Sequence, residues 1–166
     1  ASRLLVQGLF GVLPDALHDK VVIRPGFPMD WDKAAFEMPD VSYSFERKGE
    51  QDVYKISSHF VKPLDVDLQL NVRKERIGSV TVNGKKAGWS VIPSANGYPV
   101  ISIKIPATVS EAEVMIVWKG GELADLTGKE MLVETGASLK LDIPSEVTVT
   151  EVYDPQRILE SYDMGS

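Results

Sequence analysis

The sequence predicts an all-β fold, an antiparallel β-sandwich of jelly-roll-like form with a short C-terminal helix at most. Three observations carry this: apolar and polar residues alternate with period two in a succession of short segments, turn residues separate those segments at regular spacing, and a helical apolar period is almost absent. At 166 residues without a cysteine, the chain is long enough to bury one substantial core without a disulfide or a structural metal.

Val21-Val22-Ile23 is the first strand signal, and it stops at Arg24-Pro25-Gly26-Phe27-Pro28, because neither proline can donate to a ladder and the glycine suits a tight corner. Trp31 follows and is expected to be buried. Asp30 to Glu37 could be a short helix capped by Asp30 or an extended strand, and the residues alone leave both open. Val41, Tyr43 and Phe45 then alternate with Ser42, Ser44 and Glu46, and a turn at 48–52 returns the chain into Val53 to Ser57. Val66, Leu68, Leu70 and Val72 form the clearest alternation, with Asp67 on the solvent side.

Val80-Thr81-Val82 meets Asn83-Gly84, the residue pair that best tolerates the positive φ angles of a type I′ hairpin, and Trp89 to Ile92 is expected to be the return strand. A loop from Pro93 to Pro99 leads to Ile101, Ile103 and Ile105. Glu113 to Trp118 is apolar on both parities, which predicts a central strand covered on both sides or facing another domain, and Gly120-Gly121 should end it. Further strands are expected at Met131–Val133, Leu139–Ile143 and Val147–Thr150. A short helix should open at Asp154-Pro155. The expected boundaries are a connecting segment over 1–19, a sandwich over 20–153 and a tail over 154–166.

A net charge of −6 and a pI near 5.0 exclude phosphate-dominated recognition, so no nucleic-acid partner is expected. Arg73-Lys74-Glu75-Arg76 reads as a solvated turn. No apolar run approaches the roughly 18 residues of a membrane span, so no membrane partner is expected. His18 and His59 belong to no metal-spaced or triad-like pattern, and no cofactor or metal is expected. The pairs Asp30/Asp32, Asp65/Asp67 and Glu111/Glu113 would share a strand face about 6 to 7 Å apart, overlapping the roughly 6.5 to 9.5 Å of inverting glycosidases. An exposed carboxyl lacks the raised pKa of a general acid, however, so no catalytic residue is assigned. Trp31 and Trp118 read as core, whereas Trp89 and Tyr98 bracket the Pro93 to Pro99 loop and are the candidate carbohydrate-stacking residues.

One succession of pieces has a known counterpart. Gly8-Leu9-Phe10-Gly11-Val12, then Pro25-Gly26-Phe27-Pro28, then Trp31, with Val41 to Phe45 behind them, resembles the passage from barrel to C-terminal β-sandwich in bacterial (α/α)6-barrel glycoside hydrolases, especially α-L-rhamnosidase-like enzymes. Val80 to Lys85 and Trp89 are similar to a hairpin of such sandwiches. The resemblance implies a non-catalytic accessory domain whose partner is the catalytic barrel of a parent chain. It also implies that acid and base carboxylates come from that barrel, and it favours a periplasmic or secreted setting. Leu4, Leu5, Val6, Leu9, Phe10, Val12 and Leu13 crowd an opening segment that begins without methionine, so a longer parent chain is expected. Leu9, Phe10 and Val12 are the expected interdomain contacts. Two other functions compete: an autonomous carbohydrate-binding module, with carbohydrate as its partner, and a self-contained hydrolase using a carboxylate pair.

Overall fold

The computed structural model describes residues 8–28, 30–92 and 98–123, with Ala137 and Pro155 besides. The chain divides into two compact units, Ala1–Leu123 and Ala124–Ser166, and all described strands lie in the first. They are β1 (Val12–Asp15), β2 (Lys20–Ile23), β3 (Lys33–Glu37), β4 (Val41–Lys48), β5 (Gln51–Ser58), β6 (Asp65–Asn71), β7 (Lys74–Val82), β8 (Lys85–Lys86), β9 (Ser90–Ile92), β10 (Val100–Ile105) and β11 (Glu111–Glu122). Between β1 and β2 stands only a 3₁₀ turn over Ala16–His18. The strands expected over 131–150, the helix from Asp154, Leu4 to Val6 and most of the Pro93 to Pro99 loop lie outside the described residues.

Two sheets form a β-sandwich. The first runs β1-β2-β6-β10-β9 and the second β3-β4-β5-β11-β7-β8. All pairings are antiparallel except β2 with β6, which are parallel; the three strands between them in sequence belong to the opposite sheet, so no crossover helix is required. Alternation dictates the core: Val66, Leu68 and Leu70 from β6 and Ile101, Ile103 and Ile105 from β10 face Tyr43, Phe45, Tyr54, Ile56, Val114, Ile116 and Trp118 in one buried cluster. Val72, just past β6, is partly buried against it. At the β7–β8 turn, Asn83 (φ 49°) and Gly84 (φ 74°) both adopt positive φ, as a type I′ hairpin demands.

The opening segment departs from expectation. Val12 is buried in this core, and β1 pairs with β2 from Val12 opposite Ile23, so the sandwich begins before residue 20. Backbone bonds continue that ladder past the strand ends, from Arg24 N–H to Gly11 C=O (2.9 Å) and from Gly26 N–H to Leu9 C=O (3.0 Å). Phe10 sets its ring against Phe27, Phe36 and Tyr43, with centroids 5.8, 4.9 and 6.3 Å away, and its carbonyl accepts the Tyr43 hydroxyl at 2.7 Å. Two of the three residues expected to face another domain therefore pack on their own sandwich. Leu9 is only half-buried. The physical reason is that the proline corner turns Phe27 back under the Gly8–Gly11 loop, giving its apolar residues a local partner.

Three smaller expectations are corrected. Trp31 is 38% exposed, stacked on Phe27 at the rim rather than buried. Trp89 to Ile92 does not return along β7; the two-residue β8 does, and β9 crosses to pair with β10 in the first sheet. β11 runs through Gly120 and Gly121 by a register shift between Lys119 and Glu122, with Gly120 at φ 87°. The strand is central, between β5 and β7, as expected, and on its outer face Met115 and Val117 are half-buried.

Gly11 makes the loop-to-corner contact possible. Its φ is 65°, and a Cβ there would fall 1.7 Å from the Arg24 carbonyl oxygen. Gly11→Ala should therefore destabilise the fold by about 2 to 4 kcal/mol, measured by urea denaturation, whereas Gly49→Ala, which meets no atom within 4 Å at a similar φ, should cost about 1 kcal/mol.

Candidate functional site

The alternation that builds the core ends in charge. On β4 the inward series Val41, Tyr43, Phe45 continues to Arg47, and on β5 the inward series Ile56, Tyr54 continues to Asp52. Arg47 and Asp52 are direct cross-strand partners. Asp52 is 3% exposed and accepts from three side chains. Arg47 Nε reaches Oδ1 at 2.9 Å, Arg73 donates to the same oxygen at 3.1 Å, and the Trp118 indole N–H donates to Oδ2 at 2.9 Å. Burying a lone carboxylate costs several kcal/mol, and these donors offset that cost. Arg47 also lies over the Phe45 ring, 5.3 Å from its centroid, a favourable cation–π position.

Arg73 does not sit in a solvated turn. Its side chain is 14% exposed, and besides Asp52 it donates to the Gly49 carbonyl at 2.7 Å. Lys74 beside it reaches Glu50 at 2.9 Å. The reason is register: Arg73 precedes β7, which runs beside β11, so it lies near the β4–β5 turn that β11 also touches through Trp118 N–H to Glu50 C=O at 2.8 Å.

Above this cluster lies an open cleft of about 260 Å³, lined by Arg47, Arg73, Tyr98, Glu122 and Leu123. Tyr98, one of the two predicted stacking residues, is on its wall. Trp89, the other, is 45% exposed ahead of β9 and does not line it. Sequence reasoning missed Arg47, Asp52 and Arg73. The signal was available, because two charged residues stand at core parity at the ends of otherwise apolar alternations.

The carboxylate pairs are engaged elsewhere. Asp67 does face away from the core, yet it is not solvated as expected: it is 4% exposed, covered by its neighbours on β6 and β10. Ser102 donates to it at 2.6 Å, Gln69 at 3.1 Å, and Lys104 forms an ion pair with it. Burial pushes this carboxyl up, but the hydrogen bonds from Lys104, Ser102 and Gln69 outweigh it and hold the pKa below the usual carboxylate value. That is the opposite of what a general acid needs. Asp65 accepts the Ala107 N–H at 2.7 Å, and Glu113 lies beside Lys55. Asp30 and Asp32 are exposed before β3.

His59 Nε2 lies 2.7 Å from Ser57 Oγ, which donates to Glu111 at 2.6 Å. Glu111 Oε1 also lies 3.4 Å from that same His59 nitrogen, so serine and carboxylate share one ring nitrogen instead of taking one each, and these are surface groups, unlike a hydrolytic triad. His18 lies 2.8 Å from Asp15. Among the described residues, no group of three or more His, Asp or Glu is placed to hold a metal ion.

No protein-family model matches the chain, and no curated protein matches it. Among solved structures it is similar to the Streptomyces avermitilis α-L-rhamnosidase crystallised with L-rhamnose, at 17% identity and a TM-score of 0.39, over 67% of this chain and 10% of that one. The chain thus corresponds to a small part of that protein's length. A likeness of this degree says nothing of activity or substrate here.

The Asp67 cluster gives a pH prediction. A carboxyl held below its unfolded value, about 3.9, contributes stability that is present above that value and lost as pH falls through the folded pKa. Asp67→Asn should be less stable than the parent by about 1 to 3 kcal/mol at pH 7, and the gap should close as the solution is acidified below about pH 4. Denaturant midpoints across pH 2 to 7 provide the check; a constant gap would refute the assignment.

Proposed function

We propose that this chain is a non-catalytic β-sandwich accessory domain of a bacterial glycoside hydrolase, similar to the C-terminal sandwich of α-L-rhamnosidase-like enzymes, and that its partner is the catalytic barrel of the parent chain. The supporting observation is that the resembling pieces, distant in sequence, assemble into one unit. The Gly8–Val12 loop is bonded to the Pro25–Pro28 corner, and Phe10, Phe27 and Trp31 follow one another ring against ring. A motif order that builds a single physical latch is better support than the order alone. The carboxylates singled out as acid–base candidates add to it, since Asp67 and Asp65 are committed to structural hydrogen bonds. The interdomain contact proposed for the opening segment now rests on Leu9, half-buried, together with exposed Leu13.

The rival, an autonomous carbohydrate-binding module, draws on the exposure of Trp89 and on Tyr98 in the cleft. Tyr98 lines the cleft and Trp89 does not, so a platform shared by the two draws no support from the cleft. The isolated chain should release no nitrophenol from nitrophenyl α-L-rhamnoside and should not be retarded in gels containing a neutral rhamnose-bearing polysaccharide. Turnover would overturn the accessory reading, and retardation abolished by Trp89→Ala would replace it with the binding module.

A further inference from the structure

We propose that Asn83, at the β7–β8 turn, is a latent site of spontaneous deamidation that the native fold keeps closed by clasping its side-chain amide to β11. This goes beyond the accessory role, which assigns no chemistry to the hairpin.

Asn83 is followed by Gly84, and a residue without a Cβ leaves its backbone nitrogen unhindered. That nitrogen can attack the side-chain carbonyl carbon of Asn83, Cγ. The bond from Gly84 N to Cγ forms, the Cγ–Nδ2 bond breaks, and ammonia leaves with the Gly84 amide proton, closing a succinimide. Water then opens the ring at either carbonyl: at Cγ it yields aspartate, at the Asn83 backbone carbonyl isoaspartate. One water enters, one ammonia departs, and nothing is oxidised or reduced. Asn83 and Gly84 are both exposed, so water and base reach the pair and burial does not protect it.

Hydrogen bonds protect it instead. β7 ends at Val82, yet Asn83 continues the ladder with β11. Its N–H donates to the Glu113 carbonyl at 2.8 Å, its Oδ1 accepts the Glu113 N–H at 2.7 Å, and its Nδ2 donates to the Glu111 carbonyl at 2.9 Å. A backbone N–H only donates and a carbonyl only accepts, so these partners fix which end of the amide is oxygen. Ring closure turns Cγ toward the Gly84 nitrogen and expels Nδ2, so both side-chain bonds must break first. The reaction also removes the clasp for good. Aspartate sets an oxygen where Nδ2 stood, acceptor against the Glu111 carbonyl. Isoaspartate inserts a methylene into a turn that needs positive φ at both of its residues. A hairpin tip that has opened and reacted therefore does not restore the same three bonds.

The test is peptide mapping by mass spectrometry of the full 166-residue chain, kept in mildly alkaline buffer either native or unfolded in guanidinium. Asn96-Gly97 is the chain's other Asn-Gly pair, and in guanidinium the two sites should deamidate at similar rates. In the native chain Asn83 should react more slowly than in the unfolded chain by more than about tenfold, a factor that two hydrogen bonds supply. Amide hydrogen exchange checks the clasp separately. Asn83→Gly keeps a residue suited to the turn, and it should speed exchange at the Glu113 amide by at least about threefold. A smaller native protection of Asn83, no reaction at Asn83 in guanidinium, or unchanged exchange at Glu113 in Asn83→Gly would overturn the proposal.

Discussion

One buried carboxylate ties neighbouring strands of the second sheet together where its apolar alternation ends in charge. Apolar alternation brings β4, β5, β6 and β11 into a common core, and Asp52 continues the inward face of β5 beyond it. Through Arg47 it links β5 to β4, through Trp118 to β11, and through Arg73 to the start of β7. Trp118, 1% exposed, can be buried there only because its indole N–H has this acceptor; an unpaired donor at such depth would cost about 1 to 3 kcal/mol. The same carboxylate that stabilises the core thus fixes the guanidinium that faces the cleft.

A second constraint works at the opening segment. The Gly8–Gly11 loop and the Pro25–Pro28 corner approach within hydrogen-bond distance because neither Gly11 nor Gly26 carries a Cβ: one at Gly26 would sit 2.6 Å from the Gly8 carbonyl oxygen. That approach lets Phe10 join a run of rings in which Phe27 stacks on Phe45 and Phe45 on Tyr54, with centroids 5.9 and 4.9 Å apart. Burial pushes the phenols of Tyr43 and Tyr54 well above the usual tyrosine range, so both remain neutral parts of this packing. The run reaches from the first strand pair to the Asp52 cluster, and the two constraints act on one continuous core.

The fold was legible wherever period two was strict. Val66, Leu68, Leu70, Ile101, Ile103 and Ile105 lie inward as their alternation requires, and Asn83-Gly84 turns as its conformational tolerance requires. Pairing partners were not legible, because alternation tells which face a residue takes and not which strand lies beside it. Hence β9, three residues long, was expected along β7 and joins β10 instead. Burial by neighbours was hidden for the same reason: Asp67 stands on the outer face, and only the register that places Lys104 opposite it and Ser102 nearby explains its low exposure. Tyr98 was singled out as a candidate for recognition and does line the cleft, but its companions there, Arg47 on β4 and Arg73 between β6 and β7, come from segments remote in sequence.

The clamp at Asp52 is the claim on which the fold, the cleft and the fixed guanidinium all rest. A double-mutant cycle on Asp52→Asn and Arg73→Gln, read by urea denaturation of the full chain, tests it most directly. If the carboxylate couples the strands as described, the combined loss should fall short of the sum of the single losses by about 1 to 3 kcal/mol. Losses that add to within about 0.5 kcal/mol would mean that the two residues act independently, and that these strands are held here by their ladder and packing alone.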